Sequence, residues 1–231
     1  MGRLSERLRR EGVTWPQFFF QFVIVLLGVY LAVLSERRAE ENSLQEDAEV
    51  ILGNLLTELD QDEAELERII QAQSRRLDAL RRLGDVLASA AQSDAPEVDS
   101  LVERHIATNP TAFVRESAYS AMVTGGYLRT LVRTDIPVKL ANVYERTYTR
   151  VGLTGELQDF EVFERFIPAM LSHFDMGETR FIEPGPEANV QSRNAALRLA
   201  RTVDWYIGFL EETLGEVRVV QADVGQYLST D

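Results

Sequence analysis

Two histidines, a run of acidic residues and a scatter of aromatics are the side chains whose types invite a chemical reading. His105 and His173 would need partners at defined spacing. A di-iron carboxylate bundle places Glu-x-x-His on one helical face, but Val102 precedes His105 by three residues and Met170 precedes His173. No His-Glu-x-x-His, EF-hand loop, Gly-x-Ser-x-Gly elbow or phosphate-cradling glycine loop occurs either. Both histidines are read as structural or solvent-exposed. Cysteine is absent, which excludes disulfides, thiolate metal sites and a cysteine nucleophile.

The acidic run Glu58, Asp60, Asp62, Glu63, Glu65 and Glu67 has the composition of a cation site or of paired catalytic carboxylates. Its positions spread round a helix, however, and Leu59, Leu66 and Ile69 interleave with them. That pattern predicts the solvated face of an amphipathic helix. Tyr144, Tyr148, Phe160, Phe163, Phe166, Trp205, Tyr206 and Phe209 recur at helical spacing and are expected to fill a core rather than line a cofactor slot. Neither a cofactor nor a metal is called for, and the chain is not expected to be an enzyme.

The elements that carry these residues begin with an uncharged stretch. Residues 15–35 contain no charge, while Arg10 and Glu11 lie before them and Glu36, Arg37 and Arg38 after. At about 1.5 Å per residue, a helix of that length covers the roughly 30 Å hydrocarbon core, where each backbone amide must be satisfied within the helix. The sequence thus divides into a basic head at residues 1–14, a transmembrane helix at 15–35 and an acidic domain at 36–231. A cleaved signal peptide fits less well, because its apolar region is shorter and ends in a small-x-small site, whereas Val33, Leu34 and Ser35 lead straight into charged helix.

Charge is strongly asymmetric about the span. The head nets +2 against −13 for the whole chain, which leaves −15 on residues 36–231. Arg7, Arg9 and Arg10 in the head favour a cytoplasmic N-terminus, with Trp15 at the interface and the acidic domain on the periplasmic or extracellular side of a bacterial inner membrane. So negative a domain has no basic face with which to release phosphate counterions, so nucleic acid is excluded as a partner.

Beyond the span the pattern is helical nearly throughout. Leu44, Ile51, Leu55, Leu59, Leu66, Ile69, Ile70, Leu77, Leu80, Leu83 and Leu87 recur at helical steps in a proline-free segment from Glu36 to Ala91. Pro96 opens a second helix running to Thr108, and a third is expected over Ala112–Thr124, stopped by Gly125-Gly126. A short turn through Leu128 and Leu131 follows. Asp135 is expected to cap a helix running to Val151, Gly152 and Gly155 to flank a break, and Pro168 to kink the next helix, marked by Leu157, Phe160, Phe163, Phe166, Ile167 and Leu171. After a loop over Asp175–Pro186, a final long helix spans Glu187–Leu228. The fold class is all-α: one transmembrane helix, then a bundle in which two long helices are bridged by shorter ones.

Within the span, Gln17, Gln21, Gly28, Ala32 and Ser35 fall at offsets that place them within about 60° of arc at 100° per residue. Gly28-x-x-x-Ala32 is a small-xxx-small pair that admits a close helix, and a glutamine amide in hydrocarbon seeks a partner across such an interface. This stripe predicts a helix–helix contact with another membrane subunit or with a second copy.

The basic head, the Phe-rich span with its Gly-x-x-x-Ala, the stretch Ser35-Glu36-Arg37-Arg38-Ala39-Glu40-Glu41 and Leu55-Leu56-Thr57-Glu58-Leu59 together resemble a family of uncharacterised single-span bacterial membrane proteins. Ser117-Ala118-Tyr119 through Gly125-Gly126-Tyr127-Leu128, then Asp135-Ile136 and Leu140 to Tyr144-Glu145, are similar as well. The resemblance implies a helical extramembrane domain and supplies no activity, cofactor or catalytic residue. The function expected is a non-catalytic, membrane-anchored accessory or scaffold subunit that stabilises a larger assembly. The alternative is a membrane-tethered sensor or ligand-binding ectodomain, against which stands the lack of an output domain in the short head. An enzyme on a helical bundle is the third class.

Overall fold

The computed structural model describes residues 15–89, 100–101, 108–171, 174–175, 177, 180–181 and 186–230. The basic head, the proposed Pro96 helix apart from Ser100–Leu101, and both histidines lie outside the described residues. The fold is all-helical. Two long helices dominate, α1 (Trp15–Ser89) and, last in the chain, α6 (Pro186–Thr230). Between them come α2 (Ser117–Thr124), a 3-10 turn (Tyr127–Leu131), α3 (Ile136–Ala141), α4 (Tyr148–Glu161) and α5 (Ile167–Leu171). A two-residue antiparallel pair, β1 (Phe174–Asp175) and β2 (Arg180–Phe181), sits in the predicted loop, with Phe174 opposite Phe181.

The contacts divide the chain into Met1–Glu49 and Val50–Asp231. In the first unit α1 is long and apolar enough to cross a membrane. Its large apolar side chains, Phe18 to Val33, are exposed.

In the second unit the burial of α1 follows a strict alternation of three and four residues: Leu52, Leu55, Leu59, Asp62, Leu66, Ile69, Gln73, Arg76, Leu80, Leu83 and Leu87 are all buried. The same alternation runs along α6 through Ser192, Ala196, Leu199, Val203, Tyr206, Leu210, Thr213, Val217, Val220 and Val224. Two helices with apolar seams of this period pack like coiled-coil partners. The seams bury two apolar clusters. Leu52 to Ile69 meet Tyr119, Met122, Tyr144, Tyr148 and Tyr206 to Val224, while Leu77 to Leu87 meet Val162, Phe166, Met170 and Ala196 to Val203. Gln73 and Arg76 lie in the sequence gap between these clusters.

Three expectations need correction, and the predicted kink at Pro168 falls beside a π turn. Residues 112–116 are not helical: α2 begins only at Ser117, because the amides of Ala112 and Arg115 are taken by side chains of other elements. Asp135 makes no capping bond, and the Thr134 hydroxyl instead accepts the N–H of Ile136 at 3.3 Å. The helix does not break at Gly152 or Gly155. A Cβ on Gly155 would lie 3.3 Å from the Thr111 side chain, so that glycine serves a close crossing. Where a kink was expected at Pro168, a π turn (Val162–Phe166) widens the helix just before it, and a second π turn (Asn142–Thr147) joins α3 to α4. Gly126, at φ 70°, supplies the left-handed residue after α2.

Leu59 and Leu210 are fully buried, and a carboxylate there has no partner. Leu59→Asp and Leu210→Asp are each expected to lower the urea-unfolding stability of residues 43–231, followed by circular dichroism, by more than about 3 kcal/mol. Glu63, paired with Arg218 at 2.7 Å on the surface, is expected to cost less than about 1 kcal/mol on Glu63→Ala.

Candidate functional site

Two features hold the unusual side chains of this protein: the apolar part of α1 and a polar line on the bundle section of the same helix. On the first, Gln21, Gly28, Ala32 and Ser35 are exposed on α1, and a Cβ on Gly28 would meet nothing within 4 Å. The side chains of Trp15 and Gln17 lie outside what is described, as do Arg7, Arg9 and Arg10. The stripe is therefore open to a neighbour along its described length.

The second feature was not anticipated. Glu58, Asp62, Glu65, Gln73 and Arg76 fall on one face of α1, stepping by three and four residues with Ile69 between them. Across this face runs a strap without regular secondary structure, residues 108–116. Its backbone groups find the side-chain partners that a neighbouring strand would otherwise offer. Gln73 donates to the Pro110 carbonyl at 2.5 Å, and the Ala112 amide donates to the Tyr206 hydroxyl at 3.2 Å. The Phe113 amide is directed to Glu65, and the Arg115 amide donates to both oxygens of Asp62 at 3.2 Å. At the end of the strap, the Glu58 carboxylate accepts the Ala118 amide at 3.0 Å and the Ser117 hydroxyl. Glu116 forms no side-chain cap on α2, so Glu58 caps that helix from another element, where its charge suits the positive end of the helix dipole.

Asp62 is the centre of this line. It is 0% exposed, receives the Arg115 guanidinium at 2.9 Å and accepts the Tyr148 hydroxyl at 3.0 Å. Burial raises its pKa above the ordinary carboxylate range, although Arg115 and Tyr148 pull it down. Burial likewise raises Tyr148, reinforced by the Asp62 charge. The Tyr144 ring stacks on Tyr119 at 4.4 Å and meets Tyr148 edge-on at 5.1 Å. Tyr119 is pushed up to about 12 by burial and by donating to Glu145 at 2.7 Å.

Further along, Gln73 donates to Gln158 at 3.2 Å, and Asn109 bridges Arg76 to Asp159. Arg76 is 1% exposed and burial lowers it to about 10. These side chains position one another and the strap. Among the described residues, no group of three or more His, Cys, Asp or Glu is placed to hold a metal ion. The reading of the acidic run as a wholly solvated face is corrected: Glu58, Asp62 and Glu65 face the strap, while Asp60 and Glu63 meet Gln221, and Glu63 and Glu67 meet Arg218. The sequence does carry a trace of this, since Asp62, Gln73 and Arg76 stand on the three-four alternation that is otherwise apolar.

Aromatic placement also differs from expectation. Tyr144, Tyr148, Phe166, Tyr206 and Phe209 are buried, but Phe160, Phe163 and Trp205 are exposed, at 48%, 58% and 51%. With Leu153 and Leu157 they leave apolar surface on α4, the following π turn and α6. The core side of this helix is taken by Tyr148, Val151, Gln158, Val162 and Phe166, so the remaining apolar positions point outward.

Asp62→Ala is expected to destabilise the domain by about 2–4 kcal/mol, because it leaves Arg115, its amide and Tyr148 without their acceptor. The raised pKa means that the folded state holds the Asp62 proton more tightly than the unfolded chain. Its contribution is largest in acid and declines as pH rises from the ordinary carboxylate range through the folded value. Urea titrations should show wild-type stability falling relative to Asp62→Asn across that window. A pH-independent difference contradicts this assignment.

Residues 21–168, more than half of the chain, match a family of unknown function (DUF6090), and the chain belongs to that family. The match takes in the apolar part of α1, the strap and α2 to α4. No curated protein and no solved structure matches the chain.

Proposed function

We propose that this protein is a non-catalytic, membrane-anchored accessory or scaffold subunit that stabilises a larger membrane assembly. The carrying observation is the N-terminal part of α1: from Phe18 to Val33 its large side chains, four of them phenylalanines, are exposed. Such a surface is stable in hydrocarbon or against other apolar helices, not in water. Lipid alone satisfies the Phe-rich side. The Gln21, Gly28, Ala32 and Ser35 stripe has the character of a contact with another helix.

The bundle agrees with a holding role. Asp62 and one face of Gln73 are engaged with the strap and the middle helices, and exposed apolar surface remains at Leu153, Leu157, Phe160 and Trp205. The arginine head then lies in the cytoplasm and the acidic bundle outside it, in a bacterial inner membrane.

If the stripe docks against another transmembrane helix, Gly28→Leu holds the backbones apart and Gln21→Leu removes an interhelical hydrogen bond worth about 0.6–2 kcal/mol. Native mass spectrometry after gentle detergent extraction should show loss of the stoichiometric partner, or of self-association, in both variants. Val23→Leu, about 140° from Gly28, should be silent. Equal assembly in all three variants refutes docking through this face.

Orientation has its own test. Protease added to intact spheroplasts should digest the acidic domain, and replacing Arg7, Arg9 and Arg10 by glutamate should scramble insertion. A domain protected until lysis reverses the topology.

A further inference from the structure

Between α3 with its following π turn and the C-terminal half of α6 lies an open groove of about 510 Å3. Val138, Val143, Val219 and Val220 line it together with Gly215. Val138 and Val219 are exposed, and a Cβ on Gly215 would meet nothing within 4 Å, so the glycine leaves open a space that a larger residue would fill.

Two of the three charged residues lining the groove, Glu212 and Glu216, are acidic, and the third, Lys139, is engaged elsewhere, paired with Asp223. Arg150 approaches Glu212 only to 4.0 Å, because its guanidinium lies 3.9 Å over the Phe209 ring. Glu216 accepts from Asn142 at 3.0 Å and from Thr147, neutral donors that leave its charge uncompensated. The apolar surface at Leu153, Leu157 and Phe160 differs. There the Arg165 guanidinium lies 5.3 Å over the Phe160 ring and pairs with Glu161, so charges of both signs adjoin it.

We propose that the groove docks a basic amphipathic helix of a partner protein. Val, Ile or Leu side chains of that helix seat between Val138 and Val219 over Gly215, and its flanking lysines or arginines meet Glu212 and Glu216. A helix laid in an apolar groove anchors through residues one turn apart, and opposite charge on the rim sets its register and speeds encounter. The net −15 of residues 36–231 draws the same class of partner. This inference rests on the accessory-subunit reading and names the chemistry of the partner's contact outside the membrane.

Because the chain has no cysteine, one introduced thiol reports one position. Full-length Val219→Cys, with Val190→Cys as an exposed control, is mixed in detergent with a synthetic helical peptide. The peptide has leucine on one face, lysine on the other and a single activated disulfide in the leucine face. Each trapping rate is divided by that of a small neutral disulfide at the same thiol. The expected ratio at Val219→Cys is at least about tenfold that at Val190→Cys, as befits a docked anchor. It should fall to the control level when Gly215→Leu is added, or when glutamate replaces lysine in the peptide. Equal ratios at the two thiols, undiminished trapping of the glutamate peptide, or Val219→Cys chains joining one another without peptide each overturn the proposal. Gly28→Leu should leave trapping unchanged, so failure here is separable from failure of the transmembrane stripe.

Discussion

Asp62, Gln73 and Arg76 stand in a seam whose other members are apolar, and the arrangement of the bundle follows from the need to satisfy them. A buried carboxylate, amide or guanidinium without partners costs several kcal/mol each, enough to cancel much of a domain's stability. Helix α6 supplies little here, since the side chains it sets opposite are mainly aliphatic. The partners come from the strap and the middle helices: Arg115 and Tyr148 for Asp62, Pro110 and Gln158 for the Gln73 amide nitrogen, and Asn109 for one nitrogen of Arg76, whose Nε and Nη2 remain buried without a partner, as does Gln73 Oε1. The strap in turn cannot form a helix, because its amides and carbonyls are engaged sideways.

This mutual dependence explains other details. Gly155 has no side chain where Thr111 crosses, and Glu58 caps a helix that its own N-cap residue leaves uncapped. The two apolar clusters are held in fixed register by polar contacts that tolerate little sliding, a use of buried polar groups known from coiled-coil seams. The carboxylate beside the tyrosines and the arginine with a lowered pKa tie the strap and the middle helices to α1. Apolar surface stays exposed on the helix from Phe18 to Val33, on the outward face of α4 and in the valine-lined groove.

The all-helical class, the two long helices and the apolar N-terminal segment were legible in the sequence, because each rests on local periodicity or on an unbroken run of uncharged residues. Leu59, Leu66, Ile69, Leu80, Val203, Leu210 and Val217 repeat at helical steps, and all are buried. The placing of Gln21, Gly28, Ala32 and Ser35 on one side of that helix follows from the same periodicity. Apart from the place of Asp62 on the apolar alternation, tertiary structure decided which acidic residues turn inward, that residues 108–116 form a strap, and that Phe160, Phe163 and Trp205 face out. Those outcomes depend on partners far away in the chain: Asp62 meets a hydroxyl 86 residues on, and Ala112 one 94 residues on. Periodicity states which side of a helix a residue occupies. It carries no record of what arrives opposite, and for a charged or aromatic side chain that arrival decides between solvent and core.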